Sequence, residues 1–269
     1  MSILDNNKQL TATVAEIAEV AGYLWNKGWA ERNGGNISVN ITSILTTGEM
    51  SLPALQTTLL PHVLASLEGQ FFFVTGTGKR MRDLARSPME NAAIIRVLPH
   101  GVAYDIIADN VVTPTSELFS HLAIHDHFNA VKDRRKLVVL HTHPTELVAL
   151  THHRRLLRQG ELTRLLWSMI PETRVVVPRG IGIVPYELPG SVALAEATID
   201  ALEHHDVVAW EKHGALVVDE NIFDAFDIID TLVKSAAIYL NANALGREPE
   251  GLSDEQLEAL CSAFNLPRD

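Results

Sequence analysis

The chain has 269 residues, 46% hydrophobic and 20% charged, an ordinary globular balance that excludes a disordered or collagen-like protein. Its 22 Lys and Arg stand against 33 Asp and Glu, a formal net charge of −11, which argues against a nucleic-acid binder with its basic footprint. The single cysteine, Cys261, excludes an internal disulfide framework, the polar start over 1–10 has no signal-peptide pattern, and no apolar run reaches membrane-spanning length, so the expectation is a soluble, cytoplasmic protein with no membrane partner.

In chain order, Leu10, Val14, Ile17, Ala18, Ala21, Leu24 and Trp25 recur at steps of three and four, predicting an amphipathic helix over 8–28 that stops at Gly28. A turn cluster at 32–36 leads into an alternating strand over 37–41. Residues 42–69 lack sustained periodicity and carry Pro53 and Pro61, and are expected to be a surface insertion. Strands follow at 71–74, 92–97 and 102–107, a helix at 115–131, a strand at 137–140 and helices at 146–152 and 162–169. Strands are then predicted at 174–177 and 181–184, a helix at 192–204 and strands at 207–210 and 215–218. Helices at 225–245 and 254–264 close the chain, the second opened by Ser253 and Gln256 in capping-box spacing. The alternation predicts one α/β domain over 1–269, a sheet with helices on both faces. The short connections within 92–107, 174–184 and 207–218 predict largely antiparallel pairing. No Gly-x-Gly-x-x-Gly follows the first strand, which counts against a dinucleotide-binding fold.

Twelve histidines supply the first chemistry. His141-Thr-His143 ends the strand at 137–140, and residues two apart on a strand share a face, so both rings can reach one metal ion. Zinc suits neutral imidazole and in catalytic sites takes three protein ligands. A third ligand is expected at a strand end, and His213, between the strands at 207 and 215, is the candidate, although a His before Gly also reads as an ordinary turn. His125-Asp-His127 lies in a helix, where neighbours two apart diverge, and His121 with His125 are either a helical chelate or a solvated pair.

Three segments are suited to an anion: Arg32-Asn-Gly-Gly-Asn36, whose backbone N–H groups can converge, Thr75-Gly-Thr-Gly-Lys79 and Thr113-Pro-Thr-Ser-Glu117 at a helix start. Each is otherwise a turn or a cap. Together with the His cluster they suggest a phosphorylated small molecule as substrate. Glu117, expected in the first turn of its helix, is either a charge complementing the dipole or a general base near the metal. Glu172 carries the same ambiguity.

The segments 28–36 and 75–79, Pro114-Thr-Ser-Glu-Leu118, Leu140-His-Thr-His-Pro144 and Lys212-His-Gly214, in this order, resemble the class II aldolase family over about residues 10–265. The resemblance implies a three-layer fold with a largely antiparallel sheet, and a lyase cleaving a ketose 1-phosphate reversibly to dihydroxyacetone phosphate and an aldehyde. It implies one Zn2+ per chain on His141, His143 and His213, Glu117 as acid/base, and phosphate binding by Asn33, Gly35, Asn36, Thr77, Gly78, Thr115 and Ser116. It further implies a homotetramer with the site between subunits and Glu172 contributed by a neighbour. Thr77 departs from the expected Ser but keeps the hydroxyl. The alternatives are a related zinc aldolase or 4-epimerase acting on another sugar phosphate, or a non-catalytic module like the adducin head.

Overall fold

The computed structural model describes residues 2–131 and 135–267. Its strands are β1 (Asn36–Asn40), β2 (Gln56–Leu59), β3 (Phe71–Thr75), β4 (Ala92–Val97), β5 (Ala103–Ile107), β6 (Val138–Thr142), β7 (Ile181–Val184), β8 (Val207–Trp210) and β9 (Gly214–Asp219). They form one nine-stranded sheet in the order β2-β5-β4-β3-β1-β6-β9-β8-β7. Every neighbouring pair is antiparallel except β7–β8. The helices are α1 (Lys8–Asn26), α2 (Thr47–Met50), α3 (Met81–Leu84), α4 (Pro88–Asn91), α5 (Leu118–Ala130), α6 (Thr145–Leu150), α7 (Glu161–Met169), α8 (Pro171–Val176), α9 (Val192–Leu202), α10 (Ile222–Asn243) and α11 (Asp254–Phe264).

The three layers follow from period-two alternation along strands buried on both faces. Phe71 and Phe73 of β3, Val138 and Leu140 of β6, and Ala215 and Val217 of β9 join one core with α1, α6, α7 and α10. Phe72 and Val74 face the other way, as do Val139, Leu216 and Val218, into two clusters capped by α5 and α9. Burying each Phe or Leu contributes roughly 1.5–3 kcal/mol. The helix frame is set by caps: Asn7 accepts from the Leu10 N–H at the start of α1, and Ser253 and Gln256 close the capping box of α11.

Three features differ from the sequence expectation. Residues 174–177 are not a strand but lie in and just after α8. Pro171 at its first turn has the φ a helix needs and no N–H to leave unpaired, and this outweighs the β-branched run that reads as a strand. The hairpin at 174–184 is therefore absent, and α9 carries the chain from β7 to a parallel β8. Within the expected insertion at 42–69, β2 pairs with β5 and forms an edge of the sheet. Finally, α5 begins at Leu118, so Glu117 is its N-cap residue rather than a member of the first turn. Among the described residues, no helix is long and apolar enough to cross a membrane.

Candidate functional site

The register of β1 against β6 sets Asn36 opposite His141, and the alternation of both strands turns these two side chains toward α5. His143 lies just beyond the end of β6, its N–H held by the Trp29 carbonyl at 2.8 Å. The β8–β9 turn carries His213: Trp210 pairs with Gly214, Lys212 takes φ +59°, and the His213 N–H reaches the Trp210 carbonyl at 3.1 Å. Gly214 is required by close approach, because a Cβ there would lie 2.5 Å from the Thr142 carbonyl oxygen and 2.8 Å from His141 Cε1. Gly35 meets a similar limit, with φ +76° and a Cβ that would fall 2.9 Å from the His141 carbonyl oxygen.

His141, His143 and His213 thereby converge, each offering a ring nitrogen within 4.8 Å of the others. His141 Nδ1–H donates to the Ala215 carbonyl and His143 Nδ1–H to the Glu31 carboxylate, both at 2.9 Å. With both Nδ1 atoms donating, the unprotonated Nε2 atoms face each other at 3.1 Å, a repulsion that a cation between them relieves. Three imidazoles, two oriented through their far nitrogens, form a donor set able to hold a metal ion. Burial drives the His141 pKa well below its usual value and, with His143 nearby, lowers that of His213 to about 4. Both rings are consequently neutral near pH 7. The Trp210 ring packs on both at 4.3 and 5.0 Å between centroids, held by its own N–H to Thr198.

Glu117 lies beside the three histidines. Its oxygens lie 3.9 Å from His141 Nε2 and 4.0 Å from His213 Nε2. These contacts are not ion pairs, since the rings are neutral. Burial raises the carboxyl pKa, partly opposed by a 2.7 Å hydrogen bond from Asn36 Nδ2. Asn36, expected among the phosphate residues, thus directs its amide at Glu117.

One cavity is lined by Asn33, Gly35, Asn36, Thr77, Gly78, Thr115, Ser116, Glu117 and the three histidines. The two loops from 75 and 113 are zipped side by side by a Gly76–Pro114 bridge and by N–H donation from Thr77 to Thr113 and from Thr115 to Thr75. The amides of Gly34, Gly76, Thr77 and Thr115 are therefore already engaged with main-chain carbonyls, so the convergent backbone N–H nest expected at these loops is partly closed. No Lys or Arg is among the described residues lining it. Glu172 is exposed on α8 and does not line this cavity. Sequence reading missed Glu31 and the platform role of Trp210, which no local spacing signals because the contact from Glu31 to His143 spans 112 residues. His121 and His125 are buried rather than solvated and stand apart from the trio.

The family model described as Class II Aldolase and Adducin N-terminal domain matches residues 15–240. A rhamnulose-1-phosphate aldolase from Bacteroides thetaiotaomicron is 52% identical over 268 residues, covering 99% of both chains. One from Yersinia pseudotuberculosis is 35% identical over 247 residues and 90% of both. The crystal structure of a sugar-phosphate aldolase from Thermotoga maritima superposes with a TM-score of 0.78 at 33% identity, covering 90% of this chain and 100% of that one. With the His cluster and its cavity lying inside the matched span, the chain belongs to the class II aldolase family.

Proposed function

We propose that the protein cleaves L-rhamnulose 1-phosphate reversibly to dihydroxyacetone phosphate and L-lactaldehyde. The observation that carries the reading is one cavity lined by a three-histidine donor set, a buried carboxyl and hydroxyl-bearing loops, in a chain 52% identical to a rhamnulose-1-phosphate aldolase. His141, His143 and His213 hold one Zn2+ per chain. Bound there, zinc would supply a Lewis acid for the negative charge that develops on the substrate's oxygens, so no Schiff-base lysine is needed.

The chain's own groups do the rest. Asn33, Thr77, Thr115 and Ser116, with the backbone at Gly35 and Gly78, bind the phosphate through neutral donors beside the positive end of α5. Glu172 of a neighbouring subunit in a homotetramer accepts the hydroxyl proton as the carbon–carbon bond breaks and the aldehyde leaves. Glu117 then returns a proton to the carbon next to the carbonyl, and removes it in condensation. A carboxyl whose pKa is raised by burial suits that exchange. The whole of 1–269 acts as one domain of a cytoplasmic enzyme of rhamnose catabolism.

The test is to incubate the protein with a panel of ketose 1-phosphates, follow dihydroxyacetone phosphate with a coupled dehydrogenase and measure bound metal. Fastest release from L-rhamnulose 1-phosphate with about one zinc per chain is expected. A preference for L-fuculose 1-phosphate would reassign the sugar, and no bound metal would overturn the centre.

A further inference from the structure

Behind the cavity, Asn36 and Glu117 continue into three buried polar side chains, Ser38, His121 and His125, to which no role at zinc or substrate has been given. Asn36 and Ser38 lie two apart on β1, and Glu117, His121 and His125 lie four apart along α5. Two residues of strand advance about 6.6 Å and four of helix about 6 Å, so the two rows stay in step. Asn36 Nδ2 donates to Glu117 at 2.7 Å, and Asn36 Oδ1 meets His121 Nε2. His121 Nδ1 lies 2.8 Å from Ser38 Oγ, which lies 2.9 Å from His125 Nε2. Ser38 and His121 are 0% exposed and His125 3%. Burial lowers both histidine pKa values to about 3, so the rings are neutral.

Donor accounting then gives the line a direction. An ionised Glu117 only accepts, so Asn36 presents its NH2 there and its carbonyl oxygen to His121. A neutral His121 must donate from Nε2 and accept at Nδ1, from the Ser38 hydroxyl. An asparagine amide is nearly symmetric in shape, and whenever Glu117 carries a proton and can donate, His121 is what keeps the NH2 rather than the oxygen turned to it.

We infer that Ser38 and His121 are positioning residues, fixing the Asn36 amide so that its N–H holds the Glu117 carboxylate at the metal centre. The inference rests on the proposed role of Glu117 as acid/base. An apolar strand–helix contact would stabilise this layer at least as well, whereas a line of paired polar groups selects one arrangement.

Ser38→Ala removes the hydroxyl without adding bulk. Expected is a fall in kcat of about 10- to 100-fold, the range for removing a partner that orients a catalytic group, with KM, zinc content and inhibition by inorganic phosphate unchanged. Ser38→Thr, which restores the hydroxyl, should recover most of the loss. Unchanged kcat in Ser38→Ala, or a rise in KM matching the fall in kcat, would overturn the inference. Independently of any variant's folding, 15N spectra of histidine-labelled wild-type holoenzyme should show His121 as the Nε2–H tautomer, and an Nδ1–H ring would overturn it. Glu117→Gln is measured alongside: full turnover there removes the acid/base reading itself, whereas an inactive Glu117→Gln beside an unimpaired Ser38→Ala removes the positioning line alone.

Discussion

At His141 and His213, burial disfavours the imidazolium, so each ring has a lone pair to offer at neutral pH. The same desolvation acts in the opposite sense on Glu117, favouring its neutral form. One dry pocket therefore sets the protonation both of the proposed metal ligands and of the proposed proton carrier. Replacing Glu117 by Gln keeps the size and the hydrogen-bonding capacity toward Asn36 but removes the exchangeable proton. Turnover should fall roughly 10²–10⁴-fold with zinc retained on elemental analysis. Gly214→Ala tests the packing around the same ligands. Its Cβ would meet the Thr142 carbonyl oxygen at 2.5 Å and His141 Cε1 at 2.8 Å, so the β8–β9 turn must shift and carry His213 with it. Zinc affinity measured by chelator competition should drop while circular dichroism stays native.

At the scale of elements, the place of each proposed ligand depends on where a strand stops. β6 delivers His141 inside its last paired residues and releases His143 just beyond them, and the tight β8–β9 turn returns His213 to the same end. The elements around Glu172 are held differently. Arg174 of α8 is 2% exposed, with its guanidinium 3.9 Å from the Trp167 ring centre. It donates to the Pro178 carbonyl at 2.6 Å and to that of Pro267, tying α8 to the end of the described chain. Arg174→Leu strands these carbonyls and loses the stacking. Each hydrogen bond from a charged group contributes about 1.5–3 kcal/mol, and urea unfolding should show a loss of that order. Activity should fall with it through misplacement of Glu172, while Glu117 and the zinc ligands stay in place.

For the whole molecule, buried neutral histidines link stability to pH. The folded-state pKa values of His121 and His125 are lowered to about 3, so the unfolded chain binds more protons between that value and about 6.5. Their contribution is fully present above pH 6.5 and is lost as pH falls toward 3, at roughly 1.4 kcal/mol per pH unit for each ring. Denaturant titrations of metal-stripped protein at pH 7, 6 and 5 should show stability falling most steeply below pH 6.5, by more than the share of these two rings because His141 and His213 are also held neutral. Assembly is tested by complementation. Glu172→Ala and His141→Ala chains, each inactive alone, should regain about a quarter of wild-type activity when co-assembled, because random mixing around a heterologous ring leaves about that share of sites intact. Verified mixed tetramers without activity would place Glu172 and the zinc site on one chain.

Much of this was legible in sequence because it is local. Period-two and period-3.6 patterning marks most strands and helices, and the spacing of His141 and His143 at a strand end already directs two rings to one side. The order of five short motifs identifies the family, since loop chemistry is written in contiguous residues. Residues 174–177 misled because a β-branched run and a proline-started turn of helix compete over six residues, too few for periodicity to decide. What only the tertiary structure decided is everything that depends on register between distant segments. The pairing of Asn36 with His141 turned an expected phosphate ligand toward Glu117. The approach of Glu31 to His143 supplied an orienting carboxylate from 112 residues away. His121 and His125, which in sequence alone are a helical pair of uncertain use, became buried partners of Ser38 because the advance of a helix turn matches that of two strand residues. Local sequence sets which face a side chain leaves by, and only the packed sheet sets what it meets there.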